Sequence, residues 1–424
     1  MYSKIYASVL SEVKPSKAEQ QEQAKATEQF LEKLNKTLAN SGAKAILGGS
    51  SAKDTWLSNN RELDIFIQFP LTKYKDKTNQ LTEILEEAVQ KAFPKLKRER
   101  LHGSRDYFQL NYKGFTFELV PILKINKAEE AINITDISPL HAKWVNKNGK
   151  KIKDEIRLTK QFAKAQQLYG AESYISGFSG YILEILTIHY NSFEELLKAA
   201  TKWKAPAIID TEKHYQKKMV MFELNKSKLQ SPLVIVDPVD KNRNAAAALS
   251  KQKFGLFQKK AKEFLKNPNE ELFAKKEIKL SELKKDANKN KQHLVYLELE
   301  PLEGKRDVVG AKLLKVYKFL KKELTKFKII NSGWEWEQGN ARFYFILKNN
   351  ILPKTEVRQG PPLAIKEHVK EFKKRNKDYF EEKGHIMAKV KIKYPKLEKF
   401  LKVKLKDEYV KEKIINIERT IFNF

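Results

Sequence analysis

The chain reads as an α+β protein of several domains, on three observations. Residues 40–140 alternate short apolar strands with amphipathic helices. Residues 141–255 turn mainly helical, and residues 293–347 return to a strand, helix, strand, strand order. A length of 424 residues leaves room for about two to four cores.

The elements follow in order. Ala24, Phe30, Leu31, Leu34 and Leu38 fall at helical spacing across residues 16–41, and Asn40-Ser41-Gly42 supplies a stop. Ala45-Ile46-Leu47 reads as a strand, Gly48-Gly49-Ser50-Ser51 as a turn, and residues 52–57 as a helix. Residues 62–69 alternate like a strand that stops at Pro70, residues 80–93 read as a helix, and residues 107–112 and 114–121 as strands. The first domain closes near residue 140. Helices are expected over residues 155–167 and, after the turn Ser176-Gly177-Phe178-Ser179, over residues 180–190. Gly177 and Gly180 serve that turn and a close helix approach. Residues 231–238 form a short apolar segment closed by Pro238, and residues 244–264 return to helix. Residues 265–290, polar and rich in Lys and Asn, read as a linker. Beyond it come a strand (293–299), a long helix (308–327) and two strands (329–337 and 341–347), the order of a ferredoxin-like module. A helix over residues 363–372 and a lysine/aromatic alternation over residues 379–424 complete a basic tail.

Composition narrows the class. Hydrophobic residues make up 41% and Phe numbers 24, which suits a folded chain. No cysteine occurs, so disulfides, zinc–thiolate sites and thiol catalysis are excluded. No apolar run is long enough for a membrane span, and the first residues lack a signal core, so a cytoplasmic location is expected. Net charge is +30, from 83 basic and 53 acidic residues, and residues 251–424 carry +20 of it. That asymmetry points to a polyanionic partner gripped mainly by the C-terminal half.

The chemistry gathers around one stretch, LGGSSAKDTWLSNNRELDIFI. Eleven residues separate Ser50 from Glu62, and Asp64 follows at i+2. In a strand both carboxylates share a face while Leu63, Ile65 and Ile67 take the other. Two acids side by side repel unless a cation sits between them, and Mg2+ prefers oxygen ligands. Glycines just upstream let the backbone approach a phosphate. Glu118, the only acid in the apolar run FTFELVP, offers a third carboxylate. Three acids beside a phosphate cradle suggest nucleotidyl transfer with two divalent cations.

The Gly-Ser pair, the eleven-residue gap, Glu-x-Asp and the distant acid resemble the DNA polymerase beta nucleotidyltransferase superfamily. Within it the chain resembles the archaeal (class I) CCA-adding enzymes, tRNA nucleotidyltransferases that build the 3′ CCA end. GGSSAKDTWL, FELVP, ISPLHAKWV, DEIRLTKQFAK with LYGAE, GFSGYILEIL and VDPVDKNRNAAAALS carry the likeness over roughly residues 40–255. The resemblance implies a polymerase-beta-like nucleotidyltransferase head (1–140), a helical neck for base selection (141–255) and a basic tRNA-binding body and tail (256–424), the body ferredoxin-like and the tail helical and basic. It implies Glu62, Asp64 and Glu118 as ligands of two Mg2+ ions, with Glu118 standing where the family usually has Asp. Ser50, Lys53, Ser138, His141, Lys160 and Tyr169 would hold the nucleotide and its triphosphate, and Arg243 would meet the base of CTP or ATP. The implied partner is tRNA, bound at acceptor stem and elbow, and the implied assembly is a homodimer. Tyr379, Phe380, Tyr394, Phe400 and Tyr409 are candidates to stack on bases or to fill a core. A poly(A)- or oligoadenylate-type transferase shares such a head, and a non-catalytic RNA-binding protein with a degenerate head is the reading from another class.

Overall fold

The computed structural model describes residues 2–216, 219–275, 277–336 and 339–423. Glu337, the expected end of one strand, and Phe424, the expected end of the tail, lie outside them. The chain forms two compact units, Met1–Lys276 and Glu277–Phe424. No helix among the described residues is long and apolar enough to cross a membrane.

The first unit opens with helices Tyr2–Val13 and Lys17–Leu38. Ser16 caps the second: its Oγ accepts from the Glu19 N–H, and the Glu19 carboxylate accepts from the Ser16 N–H. A five-stranded sheet follows, built from β1 (Lys44–Leu47), β2 (Glu62–Pro70), β3 (Arg98–Leu101), β4 (Tyr107–Tyr112) and β5 (Phe115–Lys124). Its order is β1-β2-β5-β4-β3, and only β2 and β5 run parallel. Helix Leu81–Ala92 lies in the crossover between them. Leu63, Ile65 and Ile67 are buried, as the alternation predicts, and Phe30 stacks between Phe93 and Phe117 with ring centroids 4.4 and 4.0 Å away.

Helices Ser138–Asn148, Lys153–Ala165, Gly180–Tyr190, Phe193–Ala200 and Lys251–Lys266 surround a second core rich in phenylalanine (Phe162, Phe178, Phe193, Phe257, Phe264). Beside them, β6 (Ala207–Asp210) and β7 (Leu233–Val236) pair in parallel.

Three expectations need correction. Of residues 52–57, only Ala52 is helical, as the end of the short helix Gly49–Ala52; residues 53–57 are turn and irregular backbone. Their carbonyls are claimed by side chains of helix Lys153–Ala165: Lys153 Nζ donates to Lys53 O, Arg157 to Asp54 O and Trp56 O, and Lys160 to Thr55 O. The helix expected from residue 244 starts at Lys251, because the preceding segment pairs with β7 instead. There the Ala245 N–H donates to Ile235 O and the Ile235 N–H to Asn244 Oδ1. Residues 265–290 are more than a linker. They contain helix Leu280–Lys289, whose Ala287 packs with Leu294, Tyr296 and Ile346.

In the second unit, helix Leu280–Lys289 is followed by β8 (His293–Pro301), helix Arg306–Leu324, β9 (Ile329–Glu335) and β10 (Ala341–Leu347). β11 (Thr355–Pro362), helix Lys366–Arg375, β12 (Tyr379–Glu382) and β13 (His385–Lys391) form a separate three-stranded sheet of order β11-β13-β12. Helices Leu397–Leu405 and Glu408–Lys411 lead to β14 (Ile414–Asn423), which completes an antiparallel sheet of order β14-β8-β10-β9. The small sheet leaves and rejoins the chain at one spot: Ile351 bridges Lys396, the Leu352 N–H donates to Pro395 O (2.9 Å), and the Leu397 N–H donates to Asn350 O (2.8 Å).

Candidate active site

Parallel pairing of β2 with β5 puts Asp64 directly opposite Glu118, and Glu62 opposite Thr116. Period 2 then sets Glu62 and Asp64 on one face of β2. Glu62 is exposed, while Asp64 and Glu118 are half-buried. Burial raises the Asp64 carboxyl above its usual range; Lys53 opposes the shift and the Glu62 charge adds to it. Burial likewise raises Glu118, with the charges of Asp64 and Glu62 adding and a hydrogen bond from Gln109 Nε2 (2.6 Å) opposing. Carboxylates that push each other's pKa upward are short of positive charge, and all-oxygen donors suit a hard divalent cation. Among the described residues no group of three or more His, Asp or Glu side chains is gathered closely enough to hold a metal ion by itself.

The Gly48-Gly49 turn lies directly on β2. The Gly48 N–H donates to Asp64 O (2.7 Å), and Gly49 adopts a φ of +58°. A Cβ on Gly49 would stand 1.7 Å from Asp64 Oδ2. Ser50, half-buried, follows in the short helix Gly49–Ala52.

Lys53 and Lys160 converge on a residue that the sequence reading missed. Glu184, on helix Gly180–Tyr190, is 0% exposed. It meets Lys53 Nζ at 2.6 Å and Lys160 Nζ at 2.8 Å, and accepts from Thr55 Oγ1 at 2.6 Å. Burial works to raise the Glu184 carboxyl, but the two ammonium groups outweigh it and hold the pKa at about 2. Burial lowers Lys160 to about 8 despite its partner. Tyr169 is raised, first by burial and then by the charges of Glu184 and Glu172. A Cβ on Gly180 would stand 2.8 Å from the Tyr169 hydroxyl, so the glycine makes room for that side chain rather than for a neighbouring helix. The signal for Glu184 was present: it is the one acid in the apolar run ILEIL.

His141 and Arg243 converge on a second missed residue, Asp237, also 0% exposed. His141 Nε2 stands 3.1 Å from Asp237 Oδ2, and Arg243 Nη1 donates to the same oxygen. Ser138, half-buried, opens helix Ser138–Asn148, the helix that carries His141. Tyr181 joins the two clusters: its ring lies 5.7 Å from Lys53 Nζ and stacks on His141 at 4.1 Å, while its hydroxyl donates to Asp237 Oδ1 at 3.1 Å. The ten sequence-predicted residues thus divide into three acids with Ser50 on the turn beside them, two lysines on Glu184 with Tyr169 close by, and a His–Arg pair on Asp237 with Ser138 on the helix that carries the histidine.

In the second unit the tail aromatics separate. Phe400 is buried, whereas Tyr379 and Tyr409 are exposed. Tyr379 shares a groove with Lys366, Lys370, Lys373 and Lys374.

The family described as "tRNA nucleotidyltransferase, second domain" matches residues 154–274, and "CCA-adding enzyme, C-terminal domain" matches residues 306–415. The "Second Messenger Oligonucleotide or Dinucleotide Synthetase domain" matches residues 1–158. A solved structure of Cid1, described in terms of its RNA terminal uridylyl transferase activity, aligns with a TM-score of 0.50 at 14% identity, covering 65% of this chain and 99% of that one. At such identity the likeness shows the fold alone: a polymerase-beta-like nucleotidyltransferase head in a mixed α+β chain. CCA-adding enzymes from Methanosarcina mazei and Methanocaldococcus jannaschii are 32% and 31% identical, over 86% and 88% of this chain and 80% and 83% of theirs. The CCA-adding enzyme of Nanoarchaeum equitans is 37% identical over 80% of this chain and 82% of its own length, and on that extent of likeness the chain belongs to the CCA-adding enzyme family of nucleotidyltransferases.

Proposed function

We propose that this protein adds C, C and A in turn to the tRNA 3′ end from CTP and ATP, without a template and with release of pyrophosphate. The observation that carries the reading is the in-register pair Asp64–Glu118, with Glu62 on the same face, against the Gly48-Gly49 turn. In this reading Glu62, Asp64 and Glu118 hold two Mg2+ ions. When bound, they would supply positive charge that lowers the pKa of the RNA 3′-hydroxyl and neutralises the triphosphate. Ser50 offers a hydroxyl to a phosphate oxygen, and Lys53 and Lys160 bring positive charge to the same side, with Tyr169 beside them. Ser138 and His141 lie next to the nucleotide, and the Arg243 fork reads the base edge.

The division into head (1–140), neck (141–255) and body with tail (256–424) belongs to the same reading. The β14-β8-β10-β9 order, with a helix after β8 and another before β14, supports a ferredoxin-like body. The lysine groove beside Tyr379 supports a grip on the phosphates of acceptor stem and elbow. Resemblance adds a homodimer, to be checked by light scattering, and the composition adds a cytoplasmic place of work.

The test incubates the protein and Mg2+ with a tRNA that ends at its discriminator base. CTP alone should give a two-cytidine extension, and CTP with ATP should add one adenosine more. No extension sinks the proposal, and open-ended adenosine tails would favour a poly(A)-type transferase. Glu62→Ala and Asp64→Ala should each abolish extension and leave tRNA binding largely intact. Loss of binding along with extension would indicate misfolding or a binding-only role.

A further inference from the structure

Asp237 directly follows β7, and its carboxylate is saturated. One oxygen faces His141 Nε2 (3.1 Å) and Arg243 Nη1; the other accepts from the Tyr181 hydroxyl (3.1 Å) and the Val239 N–H (3.0 Å). The Asp237 N–H donates to Arg243 O (3.0 Å), which ties the two ends of the 237–243 loop together. Burial would raise this carboxyl, but the hydrogen bond and charge of His141 and the charge of Arg243 hold it at about 2, so it is ionised at neutral pH. The Arg243 side chain remains 29% exposed. With one nitrogen committed to Asp237, it still has other donors to direct outward.

We propose that Asp237 is a positioning residue for nucleotide choice, because its buried carboxylate fixes the orientation in which Arg243 presents its free donors to the incoming base. The inference rests on the proposed contact between Arg243 and the base of CTP or ATP. An unrestrained arginine swings on several rotatable bonds and meets whatever acceptors arrive. A guanidinium held at one nitrogen presents a single donor pattern, and a base with the wrong edge then leaves those donors unpaired. Tyr181 secures the second carboxylate oxygen while its ring stacks on His141, so the anchor cannot rotate without giving up the Tyr181 hydrogen bond.

The test measures kcat/KM for CTP, ATP and UTP on one tRNA, together with the melting temperature. Asp237→Asn keeps the volume and removes the charge. The preference for CTP over UTP should fall about tenfold, mostly through a raised KM for CTP, as loss of a charge-assisted hold implies. Tyr181→Phe removes only the hydroxyl and should lower the preference by about two- to threefold. A uniform loss for all three nucleotides with a lowered melting temperature would mean a merely structural role and overturn the proposal. Unchanged preference in both variants overturns it as well. If Asp237→Asn does not fold, Tyr181→Phe decides, and an unaltered preference there is fatal. Wild type that adds no cytidine at all overturns the functional reading and this inference with it. That outcome is distinct from a wild type that discriminates alongside variants that do so equally well.

Discussion

Glu184 concentrates the energetic risk of the site in one side chain. Two lysines, 9% and 3% exposed, depend on it for compensation. Glu184→Ala should lower unfolding stability by about 3–5 kcal/mol in a urea titration, since it leaves buried positive charge unpaired. A loss below about 1 kcal/mol would mean that water reaches the lysines. The pH dependence has a definite sign. The folded pKa of Glu184, about 2, lies below its ordinary 4.5. Its stabilisation is therefore complete above pH 4.5 and lost as pH falls toward 2. The stability gap between wild type and Glu184→Gln should close across that window, and a gap that stays constant would refute the linkage. Glu62, Asp64 and Ser50 were legible in the sequence because their relation is local, fixed by strand period and a short gap. Glu184 shows in the sequence only as a lone acid in an apolar run and Asp237 not at all, because the role of a buried acid becomes intelligible only once its partners, up to 131 residues away, are known.

At the scale of elements, alternation made the sheet legible and long-range hydrogen bonds made the turns illegible. Strands near 62–69 and 107–112 and the helix at 180–190 lie where the apolar pattern puts them. Residues 52–57 carry the composition of a short helix, yet their carbonyls satisfy lysines and an arginine from a helix about a hundred residues later. No local signal announces that. The segment Asn244–Leu249 fails in a related way: Asn244 and Ala245 bond to β7, and the residues after them make only short turns before the helix starts at Lys251. The Gly49 turn makes this dependence testable. Gly49→Ala combines a φ of +58° with a Cβ inside the Asp64 carboxylate, so turn and strand must part. A loss of about 1–3 kcal/mol and a collapse of nucleotide addition are expected, from chemical denaturation and a primer-extension assay. Near-wild-type addition by this variant would show that Asp64 tolerates displacement.

For the whole molecule, the relevant quantity is charge. Residues 251–424 carry +20, so tRNA affinity should fall steeply with salt. Replacing Lys370, Lys373 and Lys374 with Gln should shallow the salt dependence by roughly two to three contacts' worth of slope, leaving CTP binding unchanged. An unchanged slope would place the grip on another face. The division of the chain near residue 276 was only half legible: the polar stretch marked the place, and one helix inside it packs with strands of the second unit. The pinned crossing at Ile351 and Lys396 reaches further than its few hydrogen bonds suggest. A segment that departs and returns at adjacent points is topologically an insertion, and its host sheet closes without it. Evolution can therefore lengthen, shorten or exchange residues 355–391 without renegotiating the fold beneath. An engineer can do the same by splicing a tight turn across the gap while leaving the β14-β8-β10-β9 sheet intact.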